Sequence, residues 1–353
     1  MPRKLTFLIL PLLLLSHCTQ EKSDIRVVCE SISSGSYKIK WETFPPMDGT
    51  VKIYESFVPD SFNLSVPIAE VNISEGFKDV LIVRPSQRSY FNLVFNKKRS
   101  VITAERIIPM QGLYNLRDLG GYNNMDGKQI HWGKMYRSSS LAYATLRDTR
   151  ALKNMGIRTV VDLRTDRERY ENPSRYSAPN IINLSLRGNP DNNFFDRILS
   201  GETRVSEAKE SSERLFLYLL ENNSDYFIKM FDILFDTENY PVLFFCNMGG
   251  NRSAVVSSLI LAALDIDMDQ IISDYMLTNE QVDYNSFLPL ENIFMQNQDI
   301  QETFTAHLRA HRTTFTYAFD IIIKEYGSLD NYFAKELNLT PEKRKKLKEI
   351  LLY

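Results

Sequence analysis

Pro241-Val242-Leu243-Phe244-Phe245-Cys246-Asn247-Met248-Gly249-Gly250-Asn251-Arg252-Ser253 decides how this chain folds. Val242 to Phe245 is an unbroken apolar run, the pattern of a strand buried on both faces. It leads directly into Cys246, two glycines and Arg252-Ser253, where an apolar helix is predicted over Ser253–Leu264. A strand, a glycine loop and a helix N-terminus together make an anion site. Loop N–H groups turn inward most easily where side chains are absent, and the helix end adds about half a positive charge. Arg252 supplies a planar fork that fits two phosphate oxygens. Such surroundings favour a thiolate, so Cys246 is the expected nucleophile. Ser253 is expected to donate a hydrogen bond to its sulfur and favour it as a leaving group. Asn247, Met248, Gly249, Gly250 and Asn251 complete the expected phosphate loop. The alternative is a buried free cysteine at the end of a core strand, followed by an ordinary glycine turn.

Outward from this stretch, strands alternate with helices from about Gln111. Helices are predicted over Arg147–Met155 and, as one long amphipathic element, over Arg214–Phe235; strands are predicted over Thr159–Leu163 and Ile181–Leu186. That pattern specifies an α/β unit with a central sheet. The tail from Asn292 to Tyr353 is helical, broken at Gly327 and Pro341, and its Lys343–Lys348 charge run reads as a solvated helix face.

Upstream the pattern is different. Short β-type runs occur at Ile25–Val28, Tyr37–Glu42, Val51–Glu55, Val80–Val83, Tyr90–Phe95 and Val101–Ile108, with turn residues between them. A small all-β sandwich is expected over residues 25–108, preceding an α/β domain over 109–353. Trp41 and the Tyr-Phe-Asn-Leu-Val-Phe run resemble fibronectin type III or related immunoglobulin-like modules. Trp41 is expected in the core, with carbohydrate stacking as the alternative.

At 353 residues the chain has room for two domains on a prior of roughly 100 to 200 residues each. A net charge of −2 with no concentrated basic face argues against broad nucleic-acid binding. Arg3 and Lys4 precede the apolar run Leu5–Leu15, which is short for a membrane span and suits a secretory signal over residues 1–17. Leu15-Ser16-His17-Cys18 is similar to a bacterial lipoprotein processing box, which makes Cys18 the expected lipidation site and residues 18–24 the anchor and linker. The protein is then exported and membrane-anchored, with simple secretion or an uncleaved anchor as the alternatives. Cys29 and Cys246, the remaining cysteines, are expected to be free thiols.

The segment Asn115-Leu116-Arg117-Asp118-Leu119-Gly120-Gly121-Tyr122 resembles the opening motif of the bacterial tyrosine-phosphatase family that includes the atypical dual- and triple-specificity enzymes. Met135-Tyr136-Arg137-Ser138, Val161-Asp162-Leu163-Arg164 with Glu168 beyond it, Asp274-Tyr275 and Tyr326-Gly327-Ser328 follow in that family's order. The resemblance covers about residues 110 to 353 and implies the α/β cysteine-phosphatase fold with no metal or cofactor requirement. Taken singly, Arg117 with Asp118 is expected to form a buried ion pair, and Asp162 with Arg164 to cap the sheet. Gly120 and Gly121 are expected to form a turn.

The match fails at three positions. Members of the family usually carry His before the cysteine and Lys-Asp before the arginine, where this chain has Phe245, Gly250 and Asn251. The loop therefore lacks a polar neighbour, a cation suited to phosphate-rich substrates, and a carboxyl that could donate a proton. A placed acid is typically worth about 10² to 10⁴ in rate. Asp191, in the loop after the Ile181–Leu186 strand, is the first candidate for that acid and Asp196 the second; the alternative for Asp191 is a turn residue. The expected activity is hydrolysis of phosphotyrosine-type esters, from a phosphorylated protein or a small aryl phosphate, through a phosphocysteine. The competing expectation is a phosphatase-like module that binds phosphorylated or anionic ligands at the cell surface without turnover.

Overall fold

The computed structural model describes residues 24–82, 84, 87–188, 193–284 and 297–353. The expected signal, Cys18 and Asp191 lie outside the described residues.

Seven strands form the N-terminal region. β1 (Asp24–Ser33), β2 (Ser36–Phe44) and β5 (Phe77–Leu81) make one antiparallel sheet in the order β1-β2-β5. β3 (Thr50–Ser56), β4 (Ala69–Asn72), β6 (Tyr90–Phe95) and β7 (Arg99–Ala104) make the other, in the order β4-β3-β6-β7. The period-two pattern decides which face is buried: Ile39 and Trp41 point inward on β2, while Lys40 and Glu42 between and after them are exposed. The inward faces of both sheets form one apolar cluster that includes Ile25, Ile39, Trp41, Val51, Ile53, Phe91, Leu93 and Phe95. Trp41 meets Phe95 edge-on across it, and its indole N–H donates to the Ile73 carbonyl at 2.7 Å. The core role expected for Trp41 is the one it has. Cys29 is free and buried here, and burial, followed by the nearby Glu105 carboxylate, pushes its thiol up. β4 has no counterpart among the predicted strands, because an edge segment of sequence Ala-Glu-Val-Asn carries no bulky apolar run. β5 lies a few residues before its predicted position.

The α/β core is built on β8 (Arg117–Asp118), β9 (Met135–Ser138), β10 (Thr159–Asp162), β11 (Asn180–Asn183) and β12 (Val242–Phe245). Their order is β11-β10-β12-β9-β8; the first four are parallel, and β8 runs antiparallel to β9. β12 is central. Its Leu243 and Phe245 pack with Leu152 of α1 (Leu146–Asn154), while Val242 and Phe244 join the larger cluster on the other face. That cluster is filled from α4 (Val205–Asn222), α5 (Ser224–Phe235), α6 (Asn251–Ala263) and α7 (Met268–Met276), numbered after the short helices α2 (Asp166–Glu171) and α3 (Phe194–Leu199). Apolar burial on both faces explains why β12 reads as an unbroken apolar run.

The predicted long helix is two helices. Asn223 breaks it: this buried residue accepts a hydrogen bond from the Arg187 N–H at 2.6 Å and donates to the Leu219 carbonyl at 3.0 Å, so its side chain competes with the helical ladder. The chain continues through α8 (Thr278–Gln281), α9 (Gln298–Leu308), α10 (Arg312–Tyr326), α11 (Leu329–Glu336) and α12 (Pro341–Leu351). Gly327 closes α10 with φ +80°, and Thr340-Pro341 opens α12, as the breaks predicted. In the described residues no helix is long and apolar enough to cross a membrane.

Candidate active site

β12 delivers Cys246 to the end of the sheet, where the chain turns through residues 247–250 into α6. The turn is held from outside by its carbonyls. Asn247 O accepts from the Ser140 N–H at 2.9 Å. Met248 O and Gly249 O accept from Asn115 Nδ2 at 3.3 and 2.8 Å, and Gly249 O and Gly250 O accept from Arg137 Nη2 at 2.7 and 3.2 Å. In a trans peptide the next N–H points opposite the carbonyl, so the N–H groups of residues 248 to 251 turn toward the inside of the loop. There they join the free N–H groups of the first turn of α6. None of the N–H groups from Met248 to Ser253 meets an acceptor among the described residues. Gly249 is required: its φ is +66°, and a Cβ would lie 2.8 Å from the Ser138 carbonyl. Gly250 is not, since nothing lies within 4 Å of a Cβ there.

Cys246 is buried, with its Sγ 3.5 Å from Ser253 Oγ, the contact expected between them. Arg252 reaches back across the loop opening to Glu168 of α2, with Nη1 and Nη2 donating to the two carboxylate oxygens at 2.6 and 2.7 Å. Glu168 also accepts from the Thr165 N–H at 2.7 Å in a capping box and from Asn247. Burial pushes the Glu168 carboxyl up, but the hydrogen bonds and charge of Arg252, with those of Thr165, outweigh it and hold it at about 2. Glu168 is therefore an anion that fixes the arginine fork. It is not a proton donor.

Behind the loop lies a layer of buried charge. Asp274 of α7 sits between Arg117 Nε at 3.0 Å and Arg137 Nη1 at 2.9 Å, and Arg137 also donates to Ser257 Oγ at 2.7 Å. Burial would raise the Asp274 carboxyl, but Arg117 and then Arg137 bring it to about 2. Burial first, and Arg117 second, pull the Arg137 guanidinium down to about 9. The expected Arg117–Asp118 pair does not form, because consecutive strand residues face opposite sides; Arg117 turns to Asp274, and Asp118 to Arg88 at 3.1 Å. The expected Asp162–Arg164 pair does form, at 2.8 Å, at the end of β10. Arg164 also donates to Ser140 Oγ at 3.0 Å and stacks 5.0 Å over the Phe245 ring.

Residues 108–353 match the tyrosine phosphatase family. The chain belongs to that family. A protein of Cupriavidus necator named as a tyrosine-protein phosphatase is 24% identical over 178 residues, covering 47% of this chain and 61% of that protein. This chain thus spans about three fifths of that relative's length. The triple specificity protein phosphatase PtpB of Mycobacterium tuberculosis is 26% identical over 238 residues, covering 59% of this chain and 80% of that protein. Among solved structures, the core catalytic domain of the PP-IP phosphatase SIW14 of S. cerevisiae is 12% identical with a TM-score of 0.29, covering 64% of this chain and 96% of that one. At that score the likeness is too weak to speak for the fold.

Within this tyrosine phosphatase family member, the structure places Cys246 at the end of β12, Asn247 to Gly250 in the turn, and Asn251, Arg252 and Ser253 in the first turn of α6. It does not bring Asp196 there. Asp196 is exposed in the first turn of α3, whose Phe194 and Ile198 pack against Ile300 and Phe304 of α9. Three participants escaped the sequence reading as site residues: Asn115, Arg137 and Glu168. Their signal was present, since all three stand in the family motifs, but their roles depend on contacts across more than 75 residues of chain. Tyr114 is a fourth. It is anchored by its backbone to Ser139, N–H to Oγ at 3.1 Å and carbonyl to N–H at 3.1 Å. Burial first, and the nearby Cys246 second, push its phenol up. Among the described residues no group of three or more His, Cys, Asp or Glu side chains is placed to hold a metal ion.

Proposed function

We propose that this protein is a cysteine-dependent phosphomonoesterase that hydrolyses phosphotyrosine-type esters. The loop from Cys246 to Arg252 carries the reading: four carbonyls tied outward leave a ring of N–H groups for the equatorial phosphate oxygens, around a single buried thiol. In the first step Cys246 Sγ attacks phosphorus in line, the S–P bond forms and the bond to the ester oxygen breaks. That oxygen takes a proton from an acid, a role we assign to Asp191. In the second step water attacks phosphorus, gives its proton to the acid deprotonated in the first step, and the S–P bond breaks to free phosphate and the thiolate, with Ser253 Oγ–H supporting the departing sulfur. Arg252, held by Glu168, presents charge to the phosphoryl group in both steps.

An aryl ester is favoured over an alkyl one because a phenol, with a pKa of about 10, leaves with less help from an acid than an alcohol does. The names of the relatives support protein phosphoester chemistry without fixing the substrate. The test is hydrolysis of phenyl phosphate by the purified full-length chain and by Cys246→Ser. Turnover by the wild type and its loss in the variant are expected; equal rates would remove Cys246 from the mechanism.

One observation favours a second reading, that of a binding module. Both terminal nitrogens of Arg252 are engaged by Glu168, and the loop itself carries no acid. Tungstate binding without turnover over hours would support it, and isolation of a phosphocysteine would exclude it. We also propose that the chain is exported and anchored through a lipid on Cys18, with the β-rich region acting as a fibronectin-like spacer. Metabolic labelling with a fatty acid that is lost in Cys18→Ala tests the anchor.

A further inference from the structure

The β8–β9 pair has two working faces. Arg117 lies opposite Arg137, and Asp118 opposite Tyr136, in antiparallel register. Neighbouring strand residues leave on opposite sides. Arg117 and Arg137 therefore face the loop, where they share Asp274, and Arg137 holds the Gly249 and Gly250 carbonyls. Asp118 and Tyr136 face the other way, into the N-terminal β region. Asp118 Oδ2 meets Arg88 Nη2 at 3.1 Å, and Tyr136 Oη meets Tyr90 Oη at 3.2 Å. Arg88 itself donates from Nε to Tyr90 Oη at 3.1 Å and from Nη2 to the Glu105 carbonyl at 2.8 Å.

Asp118 is fully buried, and its oxygens also accept the Gly120 and Gly133 N–H groups at 2.8 Å each. Burial pushes its carboxyl up, and Arg88 leads the opposing influences. β8 is only two residues long, and the Arg106–Ile108 segment that leads out of the N-terminal sheets pairs along its other side, with Asp118 N–H to Arg106 O at 3.1 Å and Ile108 N–H to Leu116 O at 2.9 Å. So short a pair has little of its own to fix its position. β9 is held on its far side by β12, and β8 on its own far side by this segment of the N-terminal region.

We propose that Arg88, although it belongs to the β region outside the family match, is a positioning residue for the Cys246 loop, acting through Asp118 and the β8–β9 pair. The proposal rests on the phosphatase reading above. Without its guanidinium, the buried Asp118 carboxylate loses its nearest cation, β8 shifts, and Arg117 and Arg137 carry the shift to the loop carbonyls. A displacement of about 1 Å at a reacting centre costs as much as 10²-fold in rate.

The experiment compares full-length wild type, Arg88→Met, Asp118→Asn, the R88M/D118N double variant and Asp60→Asn. Phenyl phosphate turnover and tungstate affinity are measured for each, with near-UV circular dichroism as the check on folding. Asp60→Asn is the control: it removes the charge from a different contact between the two regions, where Asp60 Oδ1 meets Tyr353 Oη at 2.9 Å and His131 Nδ1 at 3.2 Å. Arg88→Met is expected to lower kcat roughly 10- to 100-fold with KM little changed, and to weaken tungstate. The double variant is expected to recover part of both losses, because no unpaired charge stays buried. Asp60→Asn is expected to retain wild-type values. Wild-type kcat and tungstate affinity in folded Arg88→Met would overturn the proposal, as would an equal loss in Asp60→Asn. Should Arg88→Met fail to fold, Asp118→Asn decides, and unchanged turnover there is the overturning result. Should the wild type not turn over at all, the phosphatase reading fails, and tungstate affinity alone decides whether Arg88 positions the loop.

Discussion

Between the two N-terminal sheets the buried side chains are Ile, Val, Leu, Phe, Trp and one Cys, and no charged residue is buried among the described residues 24–104. Around the Cys246 loop, Arg117, Arg137, Arg164, Asp162 and Asp274 are all buried. The first core can be assembled from area alone, at about 25 cal/mol for each Å² of apolar surface removed from water. The second is a poor way to gain stability, since desolvating ion pairs offsets most of their attraction. What it provides is fixed geometry: each buried guanidinium has a set direction, and Arg137 uses its own to hold two loop carbonyls at 2.7 and 3.2 Å. One core secures a fold, and the other secures a position.

Substitutions in the two cores should separate those roles. The largest effect is expected at Asp274→Ala, which leaves Arg117 and Arg137 facing each other without a counter-charge. Losing one partner of a buried pair costs about 3–5 kcal/mol, read from the urea midpoint. A midpoint equal to that of the wild type would mean that the two guanidiniums do not depend on their shared counter-charge, and the charged layer would not be the fixed array described here. Glu168→Gln comes next. The folded-state carboxyl is depressed from 4.5 to about 2, so its contribution is complete above about pH 4.5 and is lost as pH falls toward 2. A shift of that size corresponds to roughly 2–3 kcal/mol once partial exposure is discounted. Urea unfolding at pH 7 should show that gap between wild type and Glu168→Gln, and unfolding at pH 3 should show it narrowed; an unchanged gap would deny the linkage to Arg252. The smallest effect is expected in the apolar core. Trp41→Phe loses the bond to Ile73 O and some area, about 1–2 kcal/mol, with kcat unaltered. A fall in kcat would show that the N-terminal core also sets the loop.

The same contrast governs what the sequence could say. Apolar periodicity made β12, its flanking helix and the sandwich strands legible, because burial writes itself into residue order. Glycines, an arginine and a helix start made the strand–turn–helix around Cys246 legible for the same local reason. The charged layer was different. Arg117 and Asp118 are adjacent in sequence, which suggested a pair, yet strand geometry sends them to opposite faces, toward Asp274 and Arg88. Glu168 was visible only as a carboxylate after Asp162-Leu163-Arg164, and its hold on Arg252 spans 84 residues. The Asn222-Asn223-Ser224 break within the predicted long helix was written locally and overlooked, since polar residues on an amphipathic helix also read as its solvent face.

Phe245 shows how such a layer constrains change. Its ring lies under the Arg164 guanidinium, which is itself tied to Asp162 and Ser140 at the end of the sheet. A histidine at this single position would set a ring that can take up a proton against a cation already in place. A nearby guanidinium disfavours the charged form of such a ring, whereas the phenyl ring offers it only a π face. Phe245 and Arg164 therefore form a linked pair, in which a change at one is felt by the other.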